Sequence, residues 1–140
     1  MTGAVEQIRH IYDQWHEMIT TRNLDGLMEL YADDSILESS AVLVIERKTP
    51  GTLRGKTQIA PHFDAFFRMM GKDNLDWYRF DRVFTSGNLL IWEYPSKGPN
   101  GDQLDVVESF DVQDGLIVYH RVYWGWRGFE MLNAVSNNSR

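Results

Sequence analysis

Apolar positions recur along the first fifth of the chain at steps of three and four. Val5, Ile8, Ile11, Tyr12, Trp15, Met18 and Ile19 form one stripe of an amphipathic helix from about Ala4 to Arg22. Asn23 or Asp25 caps a shorter helix whose apolar side is Leu24, Leu27, Met28, Leu30 and Tyr31. Ala32-Asp33-Asp34 ends it, and a short strand covers Ser35 to Ser39. Ser40 to Gly55 holds a β-prone run, Val42 to Ile45, and a turn signal at Thr49-Pro50-Gly51. That reads as a small hairpin or an excursion over the pocket mouth. A third helix follows, with Thr57 as its cap and Ile59, Phe63, Phe66, Phe67 and Met70 inward. Pro61 falls in its first turn and His62 at its surface.

The period then changes from helical to alternating. Strands are predicted at about 75–85, 89–95, 104–112 and 116–126. The turns between them are Ser86-Gly87-Asn88, Lys97 to Asp102, and Gln113-Asp114-Gly115. Four strands joined this way make an antiparallel meander. Phe129, Leu132 and Val135 add a helix turn or two, and Ser136 to Arg140 read as a disordered tail. Helices first and strands after is the α+β arrangement, with helices packed on one face of a curved sheet. No linker or internal repeat divides residues 1–140, so one domain is expected.

The last strand carries the chemistry of most interest. Alternation places Leu116, Val118, His120, Val122, Trp124 and Trp126 on one face and Ile117, Tyr119, Arg121 and Tyr123 on the other. His120 is the one titratable group on the first face. It is either a core histidine with its hydrogen bonds satisfied or part of a pocket wall. The second face is aromatic enough to favour pairing with another copy, so a homodimer is expected.

Composition narrows the rest. Aromatic residues are 13% of the chain, which suits a large core or an aromatic-lined cavity. A net charge of −6 without a basic run argues against a nucleic-acid partner. The absence of cysteine excludes disulfides, thiolate nucleophiles and zinc-cysteine sites. No phosphate loop, serine-nucleophile elbow or paired-histidine zinc motif occurs. The histidines are His10, His16, His62 and His120, and the first two are not spaced to share a helical face. No metal or cofactor is expected. The N-terminus has no signal-peptide pattern and no run reaches membrane-spanning length, so a cytoplasmic protein without a membrane partner is the default expectation.

Three segments carry a family resemblance. Leu27-Met28-Glu29-Leu30-Tyr31-Ala32-Asp33-Asp34-Ser35-Ile36, Leu53-Arg54-Gly55-Lys56-Thr57-Gln58-Ile59, and Gly115 to Trp124 followed by Phe129 resemble the nuclear-transport-factor-2-like superfamily and its SnoaL-like members. The resemblance implies a cone-shaped curved antiparallel sheet wrapping three helices, with a pocket in the cone. Relatives include ketosteroid isomerase, limonene epoxide hydrolase and polyketide cyclases, so fold alone leaves the activity open.

The residues at the relatives' working positions differ. The isomerase base and the hydrolase water-holding asparagine both match Ser39. The isomerase oxyanion tyrosine matches Trp15. Its oxyanion aspartate matches Val106, or Val107 when Gly115 is the anchor. The hydrolase aspartate matches Val122 and a pocket tryptophan matches Trp124. Neither catalytic set is present. The same alignment puts His120 on the pocket side, and Leu104, Val106, Glu108 and Phe110 on one face of the neighbouring strand.

The expected site is therefore His120 and Glu108 as an acid–base pair. Trp15, Tyr12, Ser39, Phe63, Val106, Phe110, Val122 and Trp124 form the expected pocket around them. The expected ligand is a small hydrophobic, cyclic molecule. The protein is read as a cofactor-independent isomerase, cyclase or dehydratase, as a ligand-binding module without chemistry, or as a dimerisation module.

Overall fold

The computed structural model describes residues 3–70, 82–98 and 101–138. Helix α1, Gly3–Thr21, follows its sequence stripe: Ile8, Ile11, Tyr12, Trp15 and Ile19 are buried. A short helix α2, Leu24–Met28, is capped by Asn23, whose side-chain oxygen accepts the Gly26 N–H at 2.9 Å. Strand β1 runs Tyr31–Ser39, four residues longer at its start than the sequence suggests. Tyr31 pairs with Ile117, and the Ile117 N–H donates to the Leu30 carbonyl at 2.8 Å. The pairing is irregular between Tyr31 and Ile36, so the acidic Ala32-Asp33-Asp34 stretch passes through as a break within the strand.

The hairpin expected after Ser39 is instead a helix, α3, Ser40–Ile45. The Ser39 hydroxyl accepts the Ala41 N–H at 3.1 Å, and Ala41, Val42 and Ile45 turn inward at helical spacing. Burial and the cap override the β preference of Val42 to Ile45, as tertiary context commonly does. A three-residue strand β2, Thr52–Arg54, returns antiparallel to β1.

Helix α4, Lys56–Met69, begins at Gly55, whose φ of +80° favours glycine. No side chain caps it, so Thr57 does not play that part; Gln58 reaches back to accept the Arg54 N–H at 2.9 Å. Pro61 lies inside the helix rather than in its first turn.

Strands β3 (Val83–Ser86), β4 (Leu89–Lys97), β5 (Gln103–Gln113) and β6 (Leu116–Trp124) form the meander. Of the strand expected at 75–85, residues 75–81 lie outside the described residues, as do 99 and 100 of the turn after β4. The sheet order is β2-β1-β6-β5-β4-β3. It is curved and unclosed, with helices on its concave side. All pairs are antiparallel except β1 with β6, which is parallel. Among the described residues the β3 ladder reaches Trp92, with the Glu93 N–H donating to the Arg82 carbonyl at 3.3 Å, and Pro95 of β4 lies opposite Asp105 of β5.

A register shift between Asp111 and Val112 changes which residues of β6 face inward. Above it, His120, Val122 and Trp124 share the inner face. Below it, Ile117 enters the core fully buried and Leu116 turns outward at 38% exposure. The sequence alternation had these two the other way round. A bulge inserts one residue and flips every side chain beyond it.

Strand β6 ends at Trp124. The chain turns at Gly125 into helix α5, Trp126–Asn138, so Trp126 is 74% exposed rather than on the pocket face. Helix α5 replaces both the expected helix turn or two and the first part of the expected disordered tail. Met131 and Leu132 pack against Ala41, Ile45, Met70 and Leu104. The Ser136 hydroxyl donates to the Val44 carbonyl at 2.8 Å, tying α5 to α3.

Candidate functional site

Three helices and the concave sheet face enclose a cavity of about 50 Å³. That is room for about four waters at roughly 10–15 Å³ of probe volume each. From α1 come Trp15, His16 and Ile19; from β1 and α3, Leu37, Ser39 and Ala41; from α4 and its C-terminal cap, His62, Phe63, Phe66 and Met70. The sheet adds Tyr94, Ser96, Val106, Glu108, His120, Val122 and Trp124. The wall is largely apolar, with a few polar groups set into it, as in small-molecule sites.

Register explains why Glu108 meets His120. In the β5–β6 ladder Glu108 lies opposite Val122 and Phe110 opposite His120, so Glu108 and His120 are diagonal neighbours on one face. His120 Nε2 lies 2.7 Å from Glu108 Oε1, and Tyr94 donates its hydroxyl to Glu108 Oε2 at 2.6 Å. On its other side His120 Nδ1 is 2.9 Å from the Tyr31 hydroxyl, which accepts the Trp15 indole N–H at 3.4 Å. An ionised carboxylate only accepts. One consistent direction follows from donor and acceptor counting: Trp15 donates to Tyr31, Tyr31 to His120 Nδ1, and His120 Nε2–H to Glu108.

Packing fixes this chain in place. The His120 ring stacks on Phe110 at 4.0 Å and 18°, and Phe63 lies nearly parallel to it at 6.3 Å and 13°. Glu108 is 4% exposed and His120 1%. Tyr31 is fully buried, and burial pushes its phenol pKa far up. The indole N–H of Trp15 opposes that shift and the Glu108 charge adds to it. Tyr31 thus stays a proton donor to His120 throughout the neutral range.

Two more histidines line the cavity. His16 Nδ1 donates to the Tyr12 carbonyl at 2.6 Å. Burial lowers its pKa, against the opposing pull of that carbonyl and the charges of Glu108 and Asp13. His62 is 4% exposed, not on the surface as its sequence position suggested, and its Nδ1 is 3.2 Å from Glu46 Oε1. Their helical spacing held the signal: His16 is four residues after Tyr12, and His62 is three after Ile59, both within buried stripes.

Of the residues singled out from sequence, Trp15, Ser39, Phe63, Val106, Glu108, His120, Val122 and Trp124 line the cavity. Tyr12 and Phe110 do not. They are buried one layer behind, Tyr12 edge-on to Trp92 at 5.1 Å and Phe110 stacked on Trp92 at 4.7 Å. The Ser39 hydroxyl accepts from both Ala41 N–H and Trp124 Nε1–H, the latter at 3.3 Å, so it anchors α3 and the cavity tryptophan. The 40–55 segment, expected near the cavity mouth, supplies Ala41 to the lining and Glu46 to His62. Among the described residues no three His, Asp or Glu side chains cluster as a metal site would require, and no helix is long and apolar enough to cross a membrane.

The sequence profile of the SnoaL-like domain matches residues 12–120, most of the chain. The protein belongs to the SnoaL-like family. Similar solved structures agree on the fold. A SnoaL-like protein of unknown function from Burkholderia thailandensis is 19% identical, with a TM-score of 0.68 over 86% of this chain and 95% of its own. A candidate polyketide cyclase from Sinorhizobium meliloti is 16% identical, with a TM-score of 0.63 over 81% and 94%. A protein with a ketosteroid isomerase-like fold from Catenulispora acidiphila, solved in complex with trimethylamine, is 16% identical, with a TM-score of 0.67 over 89% and 92%. No curated protein matches the chain. At these identities the likeness establishes the SnoaL-like fold and leaves the reaction to the site.

Proposed function

We propose that this SnoaL-like protein takes a small hydrophobic, cyclic molecule into its cavity and moves a proton on it without a cofactor. Glu108 is the group that touches the ligand. His120, Tyr31 and Trp15 hold its carboxylate in place and respond to its change of charge. The observation that carries this reading is the directed chain from Trp15 to Glu108, which ends in a largely apolar cavity wall. The cavity, with room for about four waters, is small, so a substituted ring enters by shifting lining side chains. Met70, unbranched and flexible, is the one best suited to move.

A second reading has support of its own. Both Glu108 oxygens and both His120 nitrogens already have protein partners, which is how a purely structural strand tie or a passive binding pocket would be built. Exchange of the α-protons of cyclohexanone in D₂O separates the two. Under the catalytic reading the protein accelerates exchange over buffer, and Glu108→Gln lowers that acceleration by about 10²–10⁴-fold. Binding of cyclohexanone without exchange leaves the passive pocket as the answer.

We also propose a homodimer through the outer sheet face. Ile117 is buried and does not contribute to it. Tyr123 at 57% and Phe84 at 53% exposure remain as apolar surface there. Sedimentation at micromolar concentration showing only a 16.3 kDa species would rule the dimer out.

A further inference from the structure

His62 is one of two cavity histidines, with His16, that the Trp15-to-Glu108 chain does not use. Three observations set it apart. First, it sits on the buried stripe of α4, with Phe63 and Phe66, and lines the cavity. Second, its Nδ1 is held by Glu46, the residue that ends α3. A carboxylate only accepts, so Nδ1 carries the hydrogen and the lone pair of the neutral ring is on Nε2. Third, Nε2 makes no hydrogen bond among the described residues. His120, by contrast, has both nitrogens engaged. A buried imidazole in a cavity wall, with one nitrogen tied to a carboxylate and the other without a hydrogen bond among the described residues, is the arrangement of a general base and its orienting partner.

We propose that His62 is a proton acceptor of the cavity, with Glu46 as its positioning residue, and that it recognises a ligand hydroxyl of phenol or enol type. The ring of such a ligand packs against Phe63, Phe66 and Trp124, and its O–H points to Nε2. In the full transfer the ligand O–H bond breaks and an N–H bond forms at Nε2. The electron pair stays on the ligand oxygen, and the Glu46 carboxylate faces the resulting imidazolium. No oxidant, reductant or second substrate is needed. The assignment rests on the cavity being a ligand site, but not on Glu108 moving a proton.

Phenol is the probe, and the whole chain with ¹⁵N-labelled histidine is the sample. In the free protein the His62 signals should report the Nδ1–H form, and added phenol should shift its Nε2 resonance. His62→Gln should weaken phenol binding about tenfold, the loss of one hydrogen bond made in a buried site. Glu46→Ala, at a partly exposed position, should leave the fold intact, mix the two tautomers of His62 and weaken phenol binding by a smaller factor. If phenol binds, as seen by tryptophan fluorescence, while the wild-type Nε2 resonance stays put, the role of His62 is wrong and the cavity reading stands. If phenol moves neither the fluorescence nor any histidine resonance, the cavity reading falls together with it. The wild-type resonance decides the matter even if His62→Gln fails to fold.

Discussion

His120→Ala is expected to lower the free energy of unfolding by about 3–5 kcal/mol. Two losses add. The ring fills the space between Phe110 and Phe63, and removing a buried ring leaves a cavity that its neighbours close only in part. The same change removes the acceptor of Tyr31's hydroxyl proton and the donor to one buried oxygen of Glu108. His120→Phe separates the two terms, because it keeps the stacking and removes the hydrogen bonds. It should recover part of the loss but not all of it. Urea unfolding followed by tryptophan fluorescence measures both variants. A loss under about 1 kcal/mol for the alanine variant would mean that the chain from Trp15 to Glu108 is not formed in solution.

The second large effect tests the register of β6. Ile117→Ala should destabilise by about 2–4 kcal/mol, while Leu116→Ala next to it should change stability by less than about 0.5 kcal/mol. Ile117 is fully buried and belongs to the main core; Leu116 is exposed on the other side of the strand. Strict alternation from His120 backwards makes the opposite forecast, so the pair is a direct comparison of the two registers. Equal losses, or the larger loss at Leu116, would place the bulge elsewhere.

These two cases mark where sequence reading works and where it stops. Helix α1 and strands β4 to β6 were legible because each is long and strongly periodic, with one face buried. The pairing of Glu108 with His120 was legible because the turn Gln113-Asp114-Gly115 sets the hairpin and both residues lie above its irregularity. Ile117 was misplaced because a bulge has no compositional mark; it is visible only in the ladder. Helix α3 was hidden by four residues that prefer strands, and what makes it helical is the Ser39 cap together with burial against α5. Tyr31 joins His120 across 89 positions of sequence, a contact no local spacing encodes. His16 and His62 are different. Both sat at readable helical positions; His62 was placed outward as a polar residue, and His16 was weighed only for its spacing from His10. In a chain whose family positions at Ser39, Val106 and Val122 carry no acid or base, the titratable groups that do face the cavity deserved that weight.

The proposed function requires that a small cyclic molecule occupy the cavity beside Glu108. Intermolecular nuclear Overhauser effects between bound cyclohexanone and the protein test this most directly. Contacts to the rings of Trp15, Phe63, Trp124 and His120 are the predicted result. Contacts confined to outer-face residues such as Tyr123 and Phe84, or none at saturating ligand, would contradict it.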